Sequence, residues 1–141
     1  MSGGFHRHEL RIGADMQHLE LVRTAVADAI RVGGFEEAFT NRILIAVDEA
    51  VTNIIEHGYD GCDKGQIDII CEVEPDTFTI SIIDQGEAFD PRTMTDIDIQ
   101  RHVAQGKAGG LGIFLIRKIM DVVDYHHETG RHNRLTMVKR R

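Results

Sequence analysis

Apolar and polar residues alternate along the chain at two different periods, and each period predicts a type of element. Alternation in steps of two covers residues 5–12 and stops at Gly13, which predicts a first strand. Apolar residues then recur at helical spacing from Met16 to Val32, with Asp15 placed to cap the start and two glycines placed to end the helix. The chain therefore begins with a strand and a helix.

A second helical pattern starts at Glu36 and reaches about His57 before a cluster of turn residues. Its apolar face contains Ile43, Val47, Ala50 and Ile54. At about 100° per residue, Glu49 and Asn53 lie one turn apart on the flank of that face. A carboxylate and a carboxamide placed in this way can face a groove and carry out chemistry, or can form the solvated edge of an ordinary amphipathic helix.

Residues 67–73 and 78–82 alternate with period two on either side of a Glu-Pro-Asp turn, which predicts a hairpin. Asp84 has the same parity as the apolar residues of the second strand, so we expect it on the buried face. A buried carboxylate requires a partner. That partner could be a ligand, or it could be the backbone of Gly86 in a turn that Asp84 itself caps.

The polar connection over residues 87–108 is long, and we interpret it as a mobile lid. A third helix begins in the run Gly109-Gly110-Leu111-Gly112 and continues to Met120, and strands follow at about 122–128 and 134–139. A glycine-rich turn that enters a helix can bring backbone N–H groups close to a phosphate. Glycines also permit close helix packing, so this signal is weak on its own.

The composition limits the possible classes of function. The 141 residues predict a single domain, 1–141, and the formal charge of −7 argues against nucleic acid or an anionic membrane as the main partner. The two cysteines have no metal-binding spacing, which favours a reducing, cytoplasmic compartment. No apolar run approaches the roughly 20 residues of a membrane helix. His6 and His8 would line one side of the first strand, but no cluster elsewhere is placed to complete a metal site.

Three features stand in a fixed order: Glu49-x-x-x-Asn53 on a helix, Asp84-x-Gly86 at the end of a strand, and the glycine-rich entry into the third helix. Together they resemble the ATP-binding motifs of the GHKL superfamily, which has the Bergerat fold. The stretch from Glu49 to Asn53, followed by His-Gly-Tyr at 57–59, most resembles the bacterial anti-sigma-factor serine/threonine kinases. The resemblance extends from the first strand to Thr136.

The resemblance implies an α/β (α+β) two-layer sandwich, with a mixed, mostly antiparallel sheet and helices on one face. It makes Glu49 the general base and Asn53 the ligand of Mg²⁺. Asp84 would accept a hydrogen bond from the adenine amino group, Gly86 would let the base approach, and Thr136 would support the adenine side. These roles agree with the modest demand of Mg²⁺ for side-chain ligands and with the need of phosphoryl transfer for a positioned base.

The run Gly109, Gly110, Leu111 and Gly112 would contact the phosphates of ATP. Lys107 could reach the γ-phosphate, although a solvated loop lysine is an equally good interpretation. Ala108 departs from the family, in which an acidic residue often precedes the paired glycines, so lid closure could differ here.

The function implied is an anti-sigma regulatory factor that binds a sigma factor and uses Mg-ATP to phosphorylate a serine or threonine of an anti-anti-sigma (STAS-domain) partner. By the same resemblance it would form a homodimer. One alternative is a detached histidine-kinase-type catalytic domain, against which Glu49 and the lack of a dimerisation helix with a phospho-accepting histidine both argue. Another is a nucleotide-gated binding module without kinase activity.

Overall fold

A computed structural model describes residues 4–58, 65–86, 110–128 and 132–141. Within them the elements are β1 (His6–Gly13), α1 (Leu19–Val32), α2 (Glu37–Asn53), β2 (Gln66–Glu74), β3 (Thr77–Asp84), α3 (Gly110–Ile119), β4 (Val122–Glu128) and β5 (His132–Arg140). A 3-10 turn, Met16–His18, precedes α1, and a π-helical turn, Ile54–Gly58, continues α2. The helices and strands predicted for these ranges are confirmed, with ends shifted by a few residues at most.

The strands form one five-stranded sheet in the order β1-β2-β3-β5-β4. The predicted hairpin of β2 and β3 is confirmed, and its register pairs Glu74 with Thr77 across the turn. All four described strand pairings are antiparallel, so the parallel pairing implied by a mixed sheet is not found among them. The reason is topological: β3 and β4 run in the same direction, but β5 returns between them and separates them.

One face of the sheet is covered by the helices and the other carries charge. Apolar side chains of β2, β3 and β5 on the covered face join those of α1, α2 and α3 in a single core. On the opposite face, Arg11 and Asp68 form an ion pair of 2.6 Å between β1 and β2. The predicted two-layer sandwich with helices on one face is therefore confirmed.

Local sequence signals explain how α1 starts and stops. The Asp15 carboxylate accepts a hydrogen bond from the Gln17 backbone N–H at 3.0 Å and so caps the turn before α1. At the other end Gly33 lies so close to the sheet that an added Cβ would be 2.4 Å from Cγ1 of Val73. Gly34 follows with φ of 75°, a left-handed conformation that glycine adopts without strain. The glycine pair thus ends α1 and lets the chain turn back into α2.

The start of α2 lies against the C-terminal end of β5. Phe39 of α2 and Lys139 of β5 line one cavity of about 500 Å³ together with Phe35, which precedes α2. The guanidinium of Arg141 also lies 4.1 Å from the centre of the Phe35 ring. These contacts fix one end of α2 relative to the sheet.

The other end of α2 then lies where β3 ends and β5 begins. A helix of 17 residues is about 25 Å long, and a strand of eight or nine residues is similar in length. Asn53, at the end of α2, therefore lies at the same end of the sandwich as Asp84. No helix in the described ranges is long and apolar enough to cross a membrane.

Candidate functional site

Asp84 is the centre of a hydrogen-bonded cluster at the end of β3. It is only 5% exposed, as its strand parity predicted. Its Oδ1 accepts hydrogen bonds from the Gly86 backbone N–H at 2.9 Å and from Nδ2 of Asn133 at 3.0 Å. The same Nδ2 donates to the carbonyl oxygen of Gly86 at 2.9 Å. The carboxylate therefore caps its own turn and also has a side-chain partner across the sheet.

The two carboxylate oxygens of Asp84 have different surroundings. Oδ1 accepts two hydrogen bonds, whereas Oδ2 accepts none from the described residues. No fully buried side-chain oxygen in those residues lacks a partner, so Oδ2 keeps access to solvent. Oδ2 is thus the atom that can accept a hydrogen bond from a ligand.

Burial raises the pKa of Asp84 above its ordinary value. Hydrogen bonds from Asn133 and Gly86, and the nearby His127, favour the carboxylate and oppose this rise. The result is a carboxylate that is costly to bury and that a hydrogen-bond donor from a ligand would stabilise further.

The resemblance assigned Thr136 to the adenine side of the site, but Thr136 does not lie opposite Asp84 in the sheet. Asp84 pairs directly with Asn133 across β3 and β5, whereas Thr136 pairs with Ser81. Because successive side chains of a strand point to opposite faces, Thr136 lies on the charged face of the sheet, away from the helices. Its neighbour Arg134 donates to Ser81 Oγ on that same face at 3.3 Å.

Asn133 is the residue that the sequence reasoning missed. It is 1% exposed and has the same parity as the buried Leu135 and Met137. That parity was the available signal, since a polar residue at the start of a strand and in register with its apolar positions must face the core side. The partner of such a residue becomes visible only when β3 and β5 are paired.

Glu49 and Asn53 lie one turn apart in the last part of α2, as predicted. Asn53 is 7% exposed, yet its side chain has no hydrogen-bond partner in the described ranges. Its polar atoms must also keep access to solvent, because no fully buried side-chain polar atom there is unpaired. Asn53 ends the regular helix, and the π-helical turn follows at once, a feature that often marks functional positions.

The carboxyl of Glu49 has a raised pKa, first because of burial and then because of the charges of Asp48 and Glu56. Asp48 is held in place by Arg23, whose Nε lies 2.9 Å and 2.8 Å from its two carboxylate oxygens. A carboxylate with a raised pKa is a stronger proton acceptor. Glu49 is half-buried, and its raised pKa strengthens its carboxylate as a proton acceptor.

The glycine-rich run is only partly described. Gly110, Leu111 and Gly112 form the first turn of α3, which packs against α2, so the predicted helix entry is confirmed. Lys107, Gly109 and the predicted lid, 87–108, lie outside the described residues. The structure thus brings together Asp84, Gly86 and Asn133, and it places Glu49 and Asn53 at the same end of the sandwich.

Comparison with known proteins identifies the family of this chain. The chain matches the histidine kinase-like ATPase domain family over residues 12–139. It is 31% identical over 130 residues to the serine-protein kinase RsbW of Bacillus cereus (strain ATCC 10987 / NRS 248), a match covering 89% of this chain and 81% of that protein. It is also 32% identical over 127 residues to RsbW of Staphylococcus aureus (strain JH9), covering 86% and 80%. The chain belongs to the anti-sigma-factor serine/threonine kinase family.

A solved structure shows the same fold for this kinase. The crystal structure of the RsbU and RsbW domains of Rv1364c from Mycobacterium tuberculosis superposes with a TM-score of 0.68 at 18% identity. The match covers 96% of this chain and 32% of that longer one. Membership of the family makes the protein an ATP-dependent kinase, as the order of its three motifs predicted.

The residues of the kinase also fit a magnesium ion that arrives with its nucleotide. No group of three or more His, Cys, Asp or Glu side chains in the described ranges could hold a metal by itself. Mg²⁺ does not require one, because one or two oxygen ligands plus substrate phosphates are sufficient. The accessible, unpaired amide of Asn53 supplies an oxygen of the kind that Mg²⁺ prefers.

Proposed function

We propose that this kinase binds a sigma factor and uses Mg-ATP to phosphorylate a serine or threonine of an anti-anti-sigma STAS-domain partner. The observation that carries the proposal is the open Oδ2 of Asp84 at the same end of the sandwich as the unpaired amide of Asn53. The Asp84 carboxylate can accept a hydrogen bond from the base of a nucleotide, and the Asn53 amide can bind the metal ion that accompanies the phosphates. The relatives named serine-protein kinase indicate what the bound nucleotide is used for.

The adenine base would be read by the Asp84 cluster. Oδ2 of Asp84 accepts a hydrogen bond from the 6-amino group, because Oδ1 is already used by Gly86 and Asn133. Gly86 carries no side chain and lets the flat base approach the backbone. Asn133, rather than Thr136, is the β5 residue that supports this end of the site.

The phosphates would extend from the base towards α2 and α3. Gly109, Gly110, Leu111 and Gly112 offer backbone N–H groups at the start of α3, where the helix dipole favours an anion. Asn53 would hold a Mg²⁺ ion, which would neutralise phosphate charge. Lys107 adds a positive charge for the γ-phosphate, and 87–108 closes over the nucleotide as a lid.

Phosphoryl transfer then needs a base one turn from the metal ligand. Glu49 accepts the proton of the partner's hydroxyl group while the hydroxyl oxygen forms a bond to the γ-phosphorus. The bond from that phosphorus to the bridging oxygen breaks, and ADP leaves with the electron pair. The raised pKa of Glu49 suits this role, because it makes the carboxylate a better proton acceptor at neutral pH.

The assembly and location of the kinase are part of the same proposal. It acts as a homodimer in the cytoplasm, and it contacts neither nucleic acid nor membrane directly. The acidic net charge of −7 supports the last two points, because both surfaces attract clustered basic residues.

The test is transfer of phosphate from labelled ATP to a purified STAS-domain protein. Glu49→Gln should lower the transfer rate about 100-fold or more and leave ATP affinity nearly unchanged, because a positioned base contributes about that much. Glu74→Gln, an exposed glutamate at the far end of β2, is the matched control and should transfer at the wild-type rate.

The chemistry of the product separates the alternatives. A phosphate that survives acid is on serine or threonine, whereas an acid-labile phosphate would indicate histidine-kinase chemistry. A wild-type protein that bound ATP and sigma factor but transferred nothing would be a nucleotide-gated binding module. Wild-type transfer by Glu49→Gln would remove Glu49 as the base.

A further inference from the structure

The Asp84 cluster extends to a third strand through a histidine. His127 of β4 pairs directly with Asn133 of β5, which in turn pairs with Asp84 of β3. Nδ1 of His127 lies 2.5 Å from Oδ1 of Asn133. Nδ2 of Asn133 lies 3.0 Å from Oδ1 of Asp84. A continuous chain of side-chain hydrogen bonds thus crosses three strands and ends at the ligand-accepting carboxylate.

The chemistry of the amide fixes the direction of every bond in this chain. Nδ2 of Asn133 carries two hydrogens, and both are used, one by the Asp84 carboxylate and one by the Gly86 carbonyl. Turning the amide over would place its oxygen against these two acceptors. Oδ1 of Asn133 must therefore be an acceptor towards His127. Nδ1 of His127 must then carry the hydrogen, which fixes the tautomer of a neutral ring.

We propose that His127 and Asn133 form a positioning relay that holds Asp84 with Oδ2 turned towards the 6-amino group of the nucleotide base. The inference rests on the proposed function, since it concerns how that same site selects its base. Neither residue touches the reacting atoms. Both act through Asp84, and nothing else in the described ranges anchors the amide of Asn133 on its oxygen side.

The relay matters because its loss would leave Asp84 less firmly oriented. Without the donor from His127, Oδ1 of Asn133 loses its partner, and only the two hydrogen bonds from Nδ2 still hold the amide. A less firmly held amide fixes Oδ1 of Asp84 less well, so Oδ2 is turned towards the ligand for less of the time. His127 itself is on an exposed edge strand, so its removal should perturb the core little.

The experiment compares two nucleotides and three variants in the full chain. The nucleotides are ATP and purine riboside 5′-triphosphate, which lacks the 6-amino group. His127→Ala removes the donor, and His127→Asn replaces it with an amide N–H close to the position of Nδ1. His126→Ala removes the adjacent histidine, which points to the opposite face of the same strand, and is the matched control.

We expect His127→Ala to weaken ATP binding about 3- to 10-fold, the usual effect of losing one hydrogen bond. Binding of the purine analogue should change less than about twofold. His127→Asn should recover most of the loss for ATP, and His126→Ala should match the wild type. If His127 had only a structural role, its loss would weaken the binding of both nucleotides equally. A larger loss of affinity for ATP than for the purine analogue therefore indicates the relay. Melting temperatures of all variants check that each one is folded.

Nitrogen-15 NMR of the wild-type protein gives a second measurement that needs no variant. The ring of His127 should show a protonated Nδ1 in the apo protein. A neutral ring protonated only at Nε2 would overturn the proposal, as would equal losses for the two nucleotides or no loss at all in His127→Ala. If the wild-type protein did not bind ATP, the proposed function would be wrong as well as the relay. If the wild type bound ATP and His127→Ala bound it with the same affinity, only the relay would be wrong.

Discussion

Replacement of Asp84 by asparagine should weaken nucleotide binding without weakening the fold. The amide of Asp84→Asn keeps the shape of the carboxylate, and its oxygen can still accept from the Gly86 N–H and from Asn133 Nδ2. The atom at the position of Oδ2 becomes an NH₂ group. It would then face the amino group of adenine, and two donors cannot bond to each other.

The size of the effect follows from the number of hydrogen bonds changed. One bond to the ligand is lost and one donor is left unsatisfied in a buried position, which costs about 1 to 3 kcal/mol. This corresponds to an increase in the Kd for ATP of roughly 5- to 150-fold. Titration calorimetry with Mg-ATP measures it, and Asp28→Asn on the exposed face of α1 serves as the control.

Asp84→Asn should weaken ATP binding, but it should leave the stability of the apo protein unchanged or raise it. Burial raises the pKa of Asp84 in the folded state, so its protonated form favours folding. That contribution is fully present below the unfolded pKa and is lost as the pH rises through the folded pKa. Asp84→Asn stays neutral throughout. At neutral pH the variant should unfold at the same temperature as the wild type or higher, and the difference should shrink as the pH is lowered.

Two results would refute this reasoning. An unchanged Kd for ATP would remove Asp84 from the site, because the exchange of an acceptor for a donor could not then have met the base. A variant that melted well below the wild type at neutral pH would show that the carboxylate contributes more to folding through its hydrogen bonds than its burial costs.

Three further predictions concern α2 and the turn before it. The acid limb of the kcat/KM profile should lie above the ordinary range of glutamate, because the raised pKa of Glu49 keeps part of the base protonated at higher pH; a limb at the ordinary value would contradict this role. Asn53→Ala should weaken binding of ATP in Mg²⁺ more than in EDTA, as calorimetry in the two buffers can show, and equal losses would exclude a metal ligand. Gly33→Ala should lower the free energy of unfolding by about 1 to 3 kcal/mol, because its Cβ would meet Val73. Gly34→Ala meets nothing within 4 Å and should cost only about 1 kcal/mol for its left-handed backbone, so urea titration of the two variants separates contact from conformation.

The local patterns predicted the elements because they depend on short-range physics. The alternation of residues 67–73 and 78–82 predicted both the hairpin and the burial of Asp84, because side chains alternate between the two faces of a strand. The helical spacing of Glu49 and Asn53 predicts that they are neighbours without information on any tertiary contact. The sequence order of the three motifs was sufficient to identify the family.

The residues of β5 show what local patterns cannot predict, namely the register between paired strands. The motif position of Thr136 predicts a role beside the base, but a shift of three residues along a strand changes the face on which a side chain lies. Only the register between β3 and β5 shows that Asn133, and not Thr136, is opposite Asp84. This register brings together residues that are 49 positions apart in the sequence, so no local pattern can predict it.

The sequence by itself determined the elements, the buried place of Asp84 and the pairing of Glu49 with Asn53, because each depends on residues within a few positions of one another. The tertiary structure alone decided that α2 returns to the end of the sheet where Asp84 lies, that Oδ1 of Asp84 is occupied while Oδ2 is open, and that His127 reaches Asp84 through Asn133. These are contacts between distant segments. They are fixed by how strands pair and helices pack, and the hydrogen-bonding capacity of each atom becomes known only when its neighbours are in place.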